Sequence, residues 1–297
     1  MIASQRTARP LDHLVLPVAT LAVARIRLSQ LGFTVAADAQ HPFGTENACV
    51  FFADKTYLEP LSVASQEACD AACLAGNMFV ARDRAFRFRR GEEGLSAIVL
   101  GTSDALADHD AFKASGVSGG DIVEFSRSMV LPDGTTGTGS FRLAFAADLR
   151  SPDFFFFSCQ RIQSLPSDRA ALERHDNGVL GLSNVSLSEP NPSDFQGFIE
   201  EAVDGAAVSL PSTGMEIVTA NGVRIAVLNP AGMLENFGKR TSTHARGLRG
   251  RAVTFKVGDL AMTERLFAAN GIDYIRQNER LLVPEAPGQG VIFAFGE

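Results

Sequence analysis

One alternation of apolar and polar positions occurs four times along the chain. The first copy opens with the apolar stretch "LDHLVLPVATL" (11–21), which passes through a polar turn into helical spacing ending near Gly32. Three strand-like runs follow, "FTVAA", "NACVFF" and "TYLEPLSV". The same order returns from "LSAIVLGTSD" (95–104). Two further copies begin at 182 and 251, each moving from period-two apolar residues through a polar cap to helical spacing.

The four copies can be aligned at the predicted starts of their helices. A polar capping residue stands before each helix, at Thr20, Asp104, Asn191 and Asp259. Seven residues earlier, the first strand of each copy carries His13, Ala97, Asn184 and Ala252. Repetition on this scale predicts a fold built from equivalent units, none of which closes a core alone.

The length and the polar segments predict two domains. A chain of 297 residues with 45% hydrophobic content can fill two cores of ordinary size. We predict a flexible tail at 1–10, a first domain at 11–160, a polar linker at 161–178 and a second domain at 179–297. The basic stretch 81–94 is predicted to be a solvated connector between the first two copies.

Charge and hydropathy narrow the classes of partner. There are 27 Lys and Arg against 34 Asp and Glu, a net charge of −7, so a phosphate-neutralising surface is not expected and nucleic acid is not predicted as a partner. No apolar run approaches membrane-spanning length, which predicts a cytoplasmic protein with no membrane partner. Cysteines 49, 69, 73 and 159 lack zinc-site spacing and are interpreted as buried, reduced residues.

The repeats and several motifs resemble the vicinal oxygen chelate superfamily. The segments "LDHLVLPV", "HPFGTENACVFF", "YLEP", "LPDGTTGTGSFRLAFA", "FFFFSCQ" and "RHDNGVLGLSNVSL" are similar to its glyoxalase-like branch, the glyoxalase, bleomycin-resistance and dioxygenase type. They cover most of residues 11–190, and the last third resembles the superfamily only through its modules. The resemblance implies an α+β fold of four βαβββ modules, paired into two curved, barrel-like mixed sheets that enclose a metal or ligand pocket.

The resemblance also implies a set of candidate metal ligands on the first and last strands of paired modules. His13 matches the first-strand position and Glu59, in "YLEP", the last-strand position. In the second module Ala97 cannot coordinate, so Gln160 or Cys159 is the nearest donor. The implied set is His13, Glu59 and Gln160, for Zn, Fe, Mn or Ni.

A metal-free site is an equally open prediction, because an amide is a weak ligand. His13 hydrogen-bonded to Glu59 is then a catalytic pair, in which the carboxylate tunes the imidazole as a general base near neutral pH. Either arrangement makes these two residues the predicted catalytic centre.

Further residues are candidates for substrate binding. His41 and Asn47 lie in "HPFGTEN", which is either a pocket rim or an ordinary turn. Arg142 points opposite to its apolar strand neighbours, so it binds a substrate carboxylate or phosphate if that face is the cavity and is solvated if not. Phe156, in "FFFF", is either a pocket wall or core. His175 is expected to be exposed in the linker.

The second half is predicted to lack a metal set. Asn184 and Ala252 stand at its first-strand positions, and the closing strand "GVIFAF" is apolar. We expect it to bury the outer face of the first domain, to form an oligomer surface such as a homodimer, or to close a lid.

Together these features predict a glyoxalase-like enzyme, a lyase, isomerase or related catalyst acting on a small oxygenated substrate. The alternative is a metal-free small-molecule binding or sequestration protein of the bleomycin-resistance type. A third interpretation is a subunit whose second domain docks a partner.

Overall fold

The computed structural model describes residues 8–130, 136–163, 169–204 and 208–297. Within them the chain forms two curved mixed sheets and seven α-helices. The strands of the first sheet are β1 (Leu11–Pro17), β2 (Ala39–Gln40), β3 (Thr45–Asn47), β4 (Val50–Phe51), β5 (Tyr57–Val63), β6 (Ala97–Gly101), β7 (Val123–Val130), β8 (Thr136–Ala146) and β9 (Phe155–Gln163). The strands of the second sheet are β10 (Val179–Ser188), β11 (Val208–Ser209), β12 (Gly214–Val218), β13 (Arg224–Leu228), β14 (Arg249–Val257), β15 (Ile275–Gln277), β16 (Arg280–Val283) and β17 (Ile292–Gly296).

The strand order confirms the predicted architecture of paired βαβββ modules. The first sheet runs β2-β3-β5-β1-β6-β9-β8-β7, with β4 also paired to β5, and the second runs β11-β12-β13-β10-β14-β17-β16-β15. In every module the first and last strands are parallel, as in β1 with β5 and β6 with β9. Two modules join in each sheet through antiparallel first strands, β1 with β6 and β10 with β14.

Strand register fixes which positions are equivalent between modules. His13 pairs with Tyr57 and Ala97 pairs with Phe155. Glu59, two residues beyond Tyr57, is therefore equivalent to Phe157. This register corrects the sequence interpretation, which placed Gln160 or Cys159 near the position that matches Glu59.

The helices begin largely where their capping residues predict. They are α1 (Leu21–Gln30), α2 (Gln66–Leu74), α3 (Met78–Arg90), α4 (Ala105–Ala114), α5 (Gln196–Val203), α6 (Pro230–Phe237) and α7 (Leu260–Ala269). The side chains of Thr20, Asp104 and Asp259 accept hydrogen bonds from backbone N–H groups in the first turns of α1, α4 and α7. Asn191 instead precedes a short 3-10 turn and makes no such bond. None of the described helices is long and apolar enough to cross a membrane.

One continuous apolar core joins the two halves. It contains residues of both sheets and of the module helices, among them Leu14, Phe112, Phe255 and Phe267. The ring of Phe33, just after α1, lies 5.2 Å from that of Phe255 in β14. The second sheet therefore buries apolar surface of the first half, which is one of the roles expected for it.

The basic stretch 81–94 connects the first two modules as predicted, but the expectation that it is solvated is wrong for one of its faces. It lies in α3, where Phe79, Asp83 and Phe86 recur at helical spacing and are buried. Arg87 pairs with Asp83 at 2.8 Å, and both side chains are under 10% exposed. This guanidinium also donates to the carbonyl oxygens of Val18 and Leu61, so α3 is bound to the first sheet.

The segments predicted to be loose are partly anchored. Residues 1–7 of the predicted tail and 164–168 of the predicted linker lie outside the described residues. Arg9 is buried and donates to the carbonyl of Ala202 at 2.8 Å. His175 is also buried, which corrects the expectation of an exposed linker histidine. The division into two domains stays a prediction.

Candidate active site

The concave face of the first sheet brings His13 and Glu59 together. They project from the neighbouring parallel strands β1 and β5, and His13 Nε2 lies 3.4 Å from Glu59 Oε2. Both side chains are under 10% exposed. A buried imidazole needs a partner for each ring nitrogen, and Glu59 supplies one of them.

Asp12 supplies the second partner of the imidazole. Its Oδ1 lies 2.7 Å from His13 Nδ1, and it accepts a hydrogen bond from Arg161 Nη2 at 2.9 Å. The β1–β6 register shifts between Leu11 and His13, an irregularity of the kind that re-aims a side chain. His13 is thus held between two carboxylates.

These contacts set the charges of the site. Burial alone would lower the pKa of His13, but the hydrogen bonds to Asp12 and Glu59 outweigh it and raise that pKa. Burial would raise the pKa of Glu59, yet the bond to His13 and the nearby cations lower it to about 2. Both shifts favour the pair of imidazolium and carboxylate over the neutral forms.

His41 and Asn47 extend the network from the loop around β3. Asn47 Nδ2 donates to Glu59 Oε1 and lies 3.4 Å from His41 Nε2, and His41 Nδ1 lies 2.9 Å from Thr45 Oγ1. Burial is the main cause that lowers the pKa of His41, to about 4, so this imidazole is neutral at pH 7. Both predicted pocket residues thus lie against the His13–Glu59 pair.

Aromatic rings leave little free space around this network. The ring of His13 stacks on Tyr57 with a centroid distance of 4.3 Å. The cavity has a volume of about 30 Å³, room for about one water molecule. Its apolar walls include Phe43, Phe79, Phe125, Phe141 and Phe157. A larger ligand enters only if one of these rings moves.

Arg127 is a pocket residue that the sequence analysis missed. It lies on β7 opposite Gly139, with its guanidinium 5.7 Å from the ring centre of Phe141. Its Nη1 reaches Asn47 Oδ1 at 3.5 Å, and its buried Nε has no hydrogen-bond partner among the described residues. The alternation of Val123, Phe125 and Arg127 along the strand was the available signal.

Arg142, by contrast, does not reach the cavity. Phe141 and Leu143 line the pocket, so Arg142 between them points to the other face and pairs with Glu124 directly across the β7–β8 ladder. The structure corrects this prediction by assigning the pocket guanidinium to the neighbouring strand.

Two further predicted residues also face away from the cavity. Phe156 is fully buried in the core shared by both sheets, with its ring 5.6 Å from Phe198, while its neighbour Phe157 lines the pocket. Gln160 accepts from the backbone N of Ala105 at 3.2 Å and donates to the carbonyl of Ser103 at 2.6 Å, which ties β9 to the start of α4. Side-chain alternation on β9 explains both corrections.

The residues present do not fit the divalent metal that the superfamily implies. Four equivalent first-strand and last-strand positions of the sheet carry His13, Glu59, Ala97 and Phe157, and the last two have no donor atom. Both ring nitrogens of His13 face carboxylates. Among the described residues, no group of three or more His, Cys, Asp or Glu is arranged to hold a metal ion.

Comparison with solved structures shows the fold to be shared at low sequence identity. A hypothetical protein from Staphylococcus aureus matches with TM-score 0.68 and 14% identity over 96% of this chain and 98% of its own. A mutant 4-hydroxymandelate synthase from Streptomyces coelicolor matches with TM-score 0.61 and 14% identity, over 97% and 92%. The Mn(II)-bound glyoxalase from Novosphingobium aromaticivorans matches with TM-score 0.54 and 12% identity, over 98% and 82%.

Sequence comparison identifies the family. No curated protein matches the chain, whereas the family model described as "Glyoxalase-like domain" matches residues 11–203. That match includes the whole first sheet, His13 and Glu59. The chain therefore belongs to the glyoxalase-like domain family of the vicinal oxygen chelate superfamily.

Proposed function

We propose that the chain is a glyoxalase-like enzyme that moves a proton on a small oxygenated anion without a metal. The observation that carries this proposal is the unpartnered Nε of Arg127, buried in the same small pocket as the His13–Glu59 pair. A buried donor without a partner costs free energy, which a substrate carboxylate or enolate oxygen would recover.

The charge of the site supports an anionic ligand. Asp12 and Glu59 are carboxylates at neutral pH, Arg127 and Arg161 are guanidinium ions, and both carboxylates favour the protonated form of His13. With His13 protonated, the groups in and behind the pocket carry one excess positive charge. A small anion that enters when one of the lining aromatic rings moves would neutralise this charge at Arg127, in surroundings of low dielectric constant.

Glu59 is the proposed proton acceptor. Arg127 contributes to the low pKa of Glu59, so an anion that pairs with Arg127 raises that pKa and makes the carboxylate more basic. In the step, the C–H bond next to a substrate carbonyl breaks, its proton goes to Glu59 Oε2, and the electron pair moves to the carbonyl oxygen. Arg127 and the imidazolium of His13 stabilise that oxyanion, and the proton returns to the same or a neighbouring carbon.

A metal-free binding protein is the second candidate. Ala97 and Phe157 supply no metal-donor atom at two of the four site positions. This favours a binding protein, because a pocket that only sequesters its ligand does not need a metal to activate a ligand oxygen. Its occupant would be a small molecule as well. A homodimer and a cytoplasmic location stay predictions.

Deuterium exchange separates the two candidates. The protein is incubated in D₂O with pyruvate, lactate or mandelate, and loss of carbon-bound protons is followed by ¹H NMR. We expect accelerated exchange for at least one probe and a decrease of about 100-fold or more in Glu59→Gln. Glu124→Gln, an exposed carboxylate outside the pocket, is the control and should exchange like the wild type. Line broadening of a probe without exchange would favour the binding protein.

Elemental analysis tests the metal-free part of the proposal. Protein purified without a metal-affinity step should contain no stoichiometric Zn, Fe, Mn or Ni, and a chelator should leave the exchange rate unchanged. Stoichiometric metal that disappears in both His13→Ala and Glu59→Ala would show that the site closes around an ion after all.

A further inference from the structure

The second sheet encloses a larger cavity than the first. Its volume is about 1130 Å³, against about 30 Å³ for the His13 pocket. It lies on the concave face formed by β10, β13, β14 and β17, with α6 and the β15–β16 turn at its edges. The sequence interpretation assigned this half only structural roles.

Alanines stand at several positions of the second sheet that are equivalent to the site positions of the first. Asn184 pairs with Arg224 and Ala252 pairs with Ile292. By the module equivalence defined above, the position of Glu59 is therefore occupied by Ala226 and the position of Phe157 by Ala294. Ala226 lines the cavity, whereas Ala252 and Ala294 lie in a buried apolar cluster with Met233 and Phe237 of α6.

The floor of the cavity carries hydrogen-bonding groups without partners. Asn184 and Thr254 are opposite each other on β10 and β14, and both line the cavity. Asn184 donates to Ser186 Oγ at 2.7 Å, but its buried Oδ1 has no partner among the described residues, and neither has the Oγ1 of Thr254. Thr254 is only 6% exposed. Buried polar atoms are usually satisfied, so these two indicate a polar occupant.

Two cations stand beside this floor. Lys256 lies two residues beyond Thr254 on β14, roughly 7 Å along the strand. It pairs with Gly296, and the side chain of Arg280 lies across that glycine, with Arg280 Cγ 3.0 Å from where a Cβ would be. Within the described chain, neither Lys256 nor Arg280 has a carboxylate partner within ion-pair distance. Arg280 contacts the ring of Phe237, and its Nη2 donates to the carbonyl oxygen of Asn236 at 2.9 Å.

Most of the carboxylates around the cavity are already engaged. Asp54 accepts from the backbone N of Leu182, Glu216 pairs with Arg224, and Asp259 caps α7. Glu297 accepts from the backbone N of Leu260, and Glu279 is exposed in the β15–β16 turn. The cations therefore remain available to a ligand.

We infer that the second sheet holds its own binding site, for a small hydroxylated organic anion. The ligand's hydroxyl groups hydrogen-bond Asn184 Oδ1 and Thr254 Oγ1, and its anionic group pairs with Arg280 and Lys256. The separation of Thr254 and Lys256 along β14 suits a molecule of a few carbon atoms. This site is independent of the function proposed for the His13 pocket.

Isothermal titration calorimetry on the full chain tests the site with four probes. Glycerate and glycerol 3-phosphate carry both hydroxyls and an anionic group, whereas propionate lacks the hydroxyls and glycerol lacks the charge. We expect at least one of the first two to bind at least 10-fold more tightly than both single-feature probes. Which of the two binds distinguishes a carboxylate ligand from a phosphate ligand.

Variants locate the binding. Thr254→Val removes the hydroxyl at constant shape and should weaken binding about 5-fold. Arg280→Met retains the stem and should weaken it at least 10-fold. Ala226→Phe places a ring at a position that lines the cavity and should abolish binding if its thermal melt shows a folded protein. His13→Gln, in the other pocket, should bind like the wild type.

Three results would overturn the inference. Neither hydroxylated anion saturates the wild type, or Thr254→Val and Arg280→Met bind as tightly as the wild type, or His13→Gln loses the binding. The last result would place the ligand in the first pocket, whereas failure of the exchange experiment there leaves this test unaffected.

Discussion

At the scale of single residues, the His13 site depends on which polar atoms find hydrogen-bond partners inside a pocket lined by aromatic rings. His13 is fixed by one carboxylate from its own strand and one from the neighbouring strand. Glu59 in turn is fixed by Asn47, so the imidazolium–carboxylate pair has few alternative geometries. Arg127 is the exception, because its Nε is buried without a partner in the described structure. It is the residue on which ligand binding should depend most directly.

Arg127→Met should weaken the binding of small carboxylates at least 10-fold, because it removes a charge-assisted donor from a poorly solvated pocket. The free energy of unfolding should fall by only about 1 kcal/mol, since the guanidinium contributes one ring contact and one long hydrogen bond to the folded state. Calorimetric titration and urea unfolding measure the two effects.

Arg142→Met is the matched control for Arg127. It removes the same group from the adjacent strand, but its guanidinium pairs with Glu124 on the other face of the sheet. Affinity should not change. Equal losses of affinity in both variants would mean that a general positive charge, and not the Arg127 site, attracts the ligand.

At the scale of elements, α3 shows why a basic and aromatic sequence can be a structural part of the fold. Phe79 and Phe86 are buried, and Phe79 lines the His13 pocket, whereas Phe88 is 91% exposed. Arg87 pairs with Asp83 within the helix, and it attaches the helix to the first sheet by donating to the carbonyl oxygens of Val18, just after β1, and Leu61 in β5. The same helix carries an exposed pair between Arg84 and Asp70.

These two ion pairs should differ greatly in their contribution to stability. Arg87→Met leaves a carboxylate buried without its partner and should lower the free energy of unfolding by about 3–5 kcal/mol. Arg84→Met breaks a solvent-screened pair and should cost at most about 1 kcal/mol. Urea unfolding at pH 7 compares them, and a similar small cost for both would show that α3 is not anchored through Arg87.

At the scale of the whole molecule, the two halves share a core and a polar junction. His175, in the predicted linker, lies between the rings of Phe33 and Phe52. Its Nδ1 accepts from the backbone N of Thr34 at 3.0 Å and its Nε2 donates to the carbonyl of Phe51 at 2.9 Å. This arrangement requires the neutral ring, because an imidazolium cannot accept a hydrogen bond.

Stability should therefore fall in mildly acidic solution. Burial is the main cause that lowers the pKa of His175 below 6.5 in the folded chain, so below that pH the unfolded chain binds more protons. The stabilisation is fully present above pH 6.5 and is lost as the pH falls below it, by at most about 1.4 kcal/mol per pH unit for one group. His41 acts in the same direction.

Thermal melts from pH 5 to 8 measure this dependence. His175→Gln should show a shallower decrease of the melting temperature below pH 6.5 than the wild type, because one titrating group is gone. His244→Gln, which changes an exposed histidine, should follow the wild-type profile. A His175→Gln profile identical to that of the wild type would contradict the requirement for a neutral ring at this junction.

Local patterns were sufficient to predict much of the architecture. Period-two strands, helical spacing and capping residues such as Thr20 and Asp259 depend on neighbouring residues, so the four modules and their pairing could be predicted from the sequence and are confirmed by the strand order. His13 and Glu59 were predicted as partners because the resemblance to the superfamily implies site residues on the first and last strands of a module. The burial of one face of the basic stretch 81–94 could not be predicted. Phe and Arg at alternating positions fit a strand, a loop or a helix face equally well on local grounds.

Only the tertiary structure decided which side chains share a pocket. Strand register and sheet curvature join residues far apart in the chain, and one residue of slip turns a side chain to the opposite face. For this reason Arg127 lies in the first cavity while Arg142 and Phe156 do not. For the same reason Phe157 occupies the position of the second module that is equivalent to Glu59. In the second sheet the same rule places Ala226 in the large cavity and Ala294 in the apolar cluster that contains Met233 and Phe237.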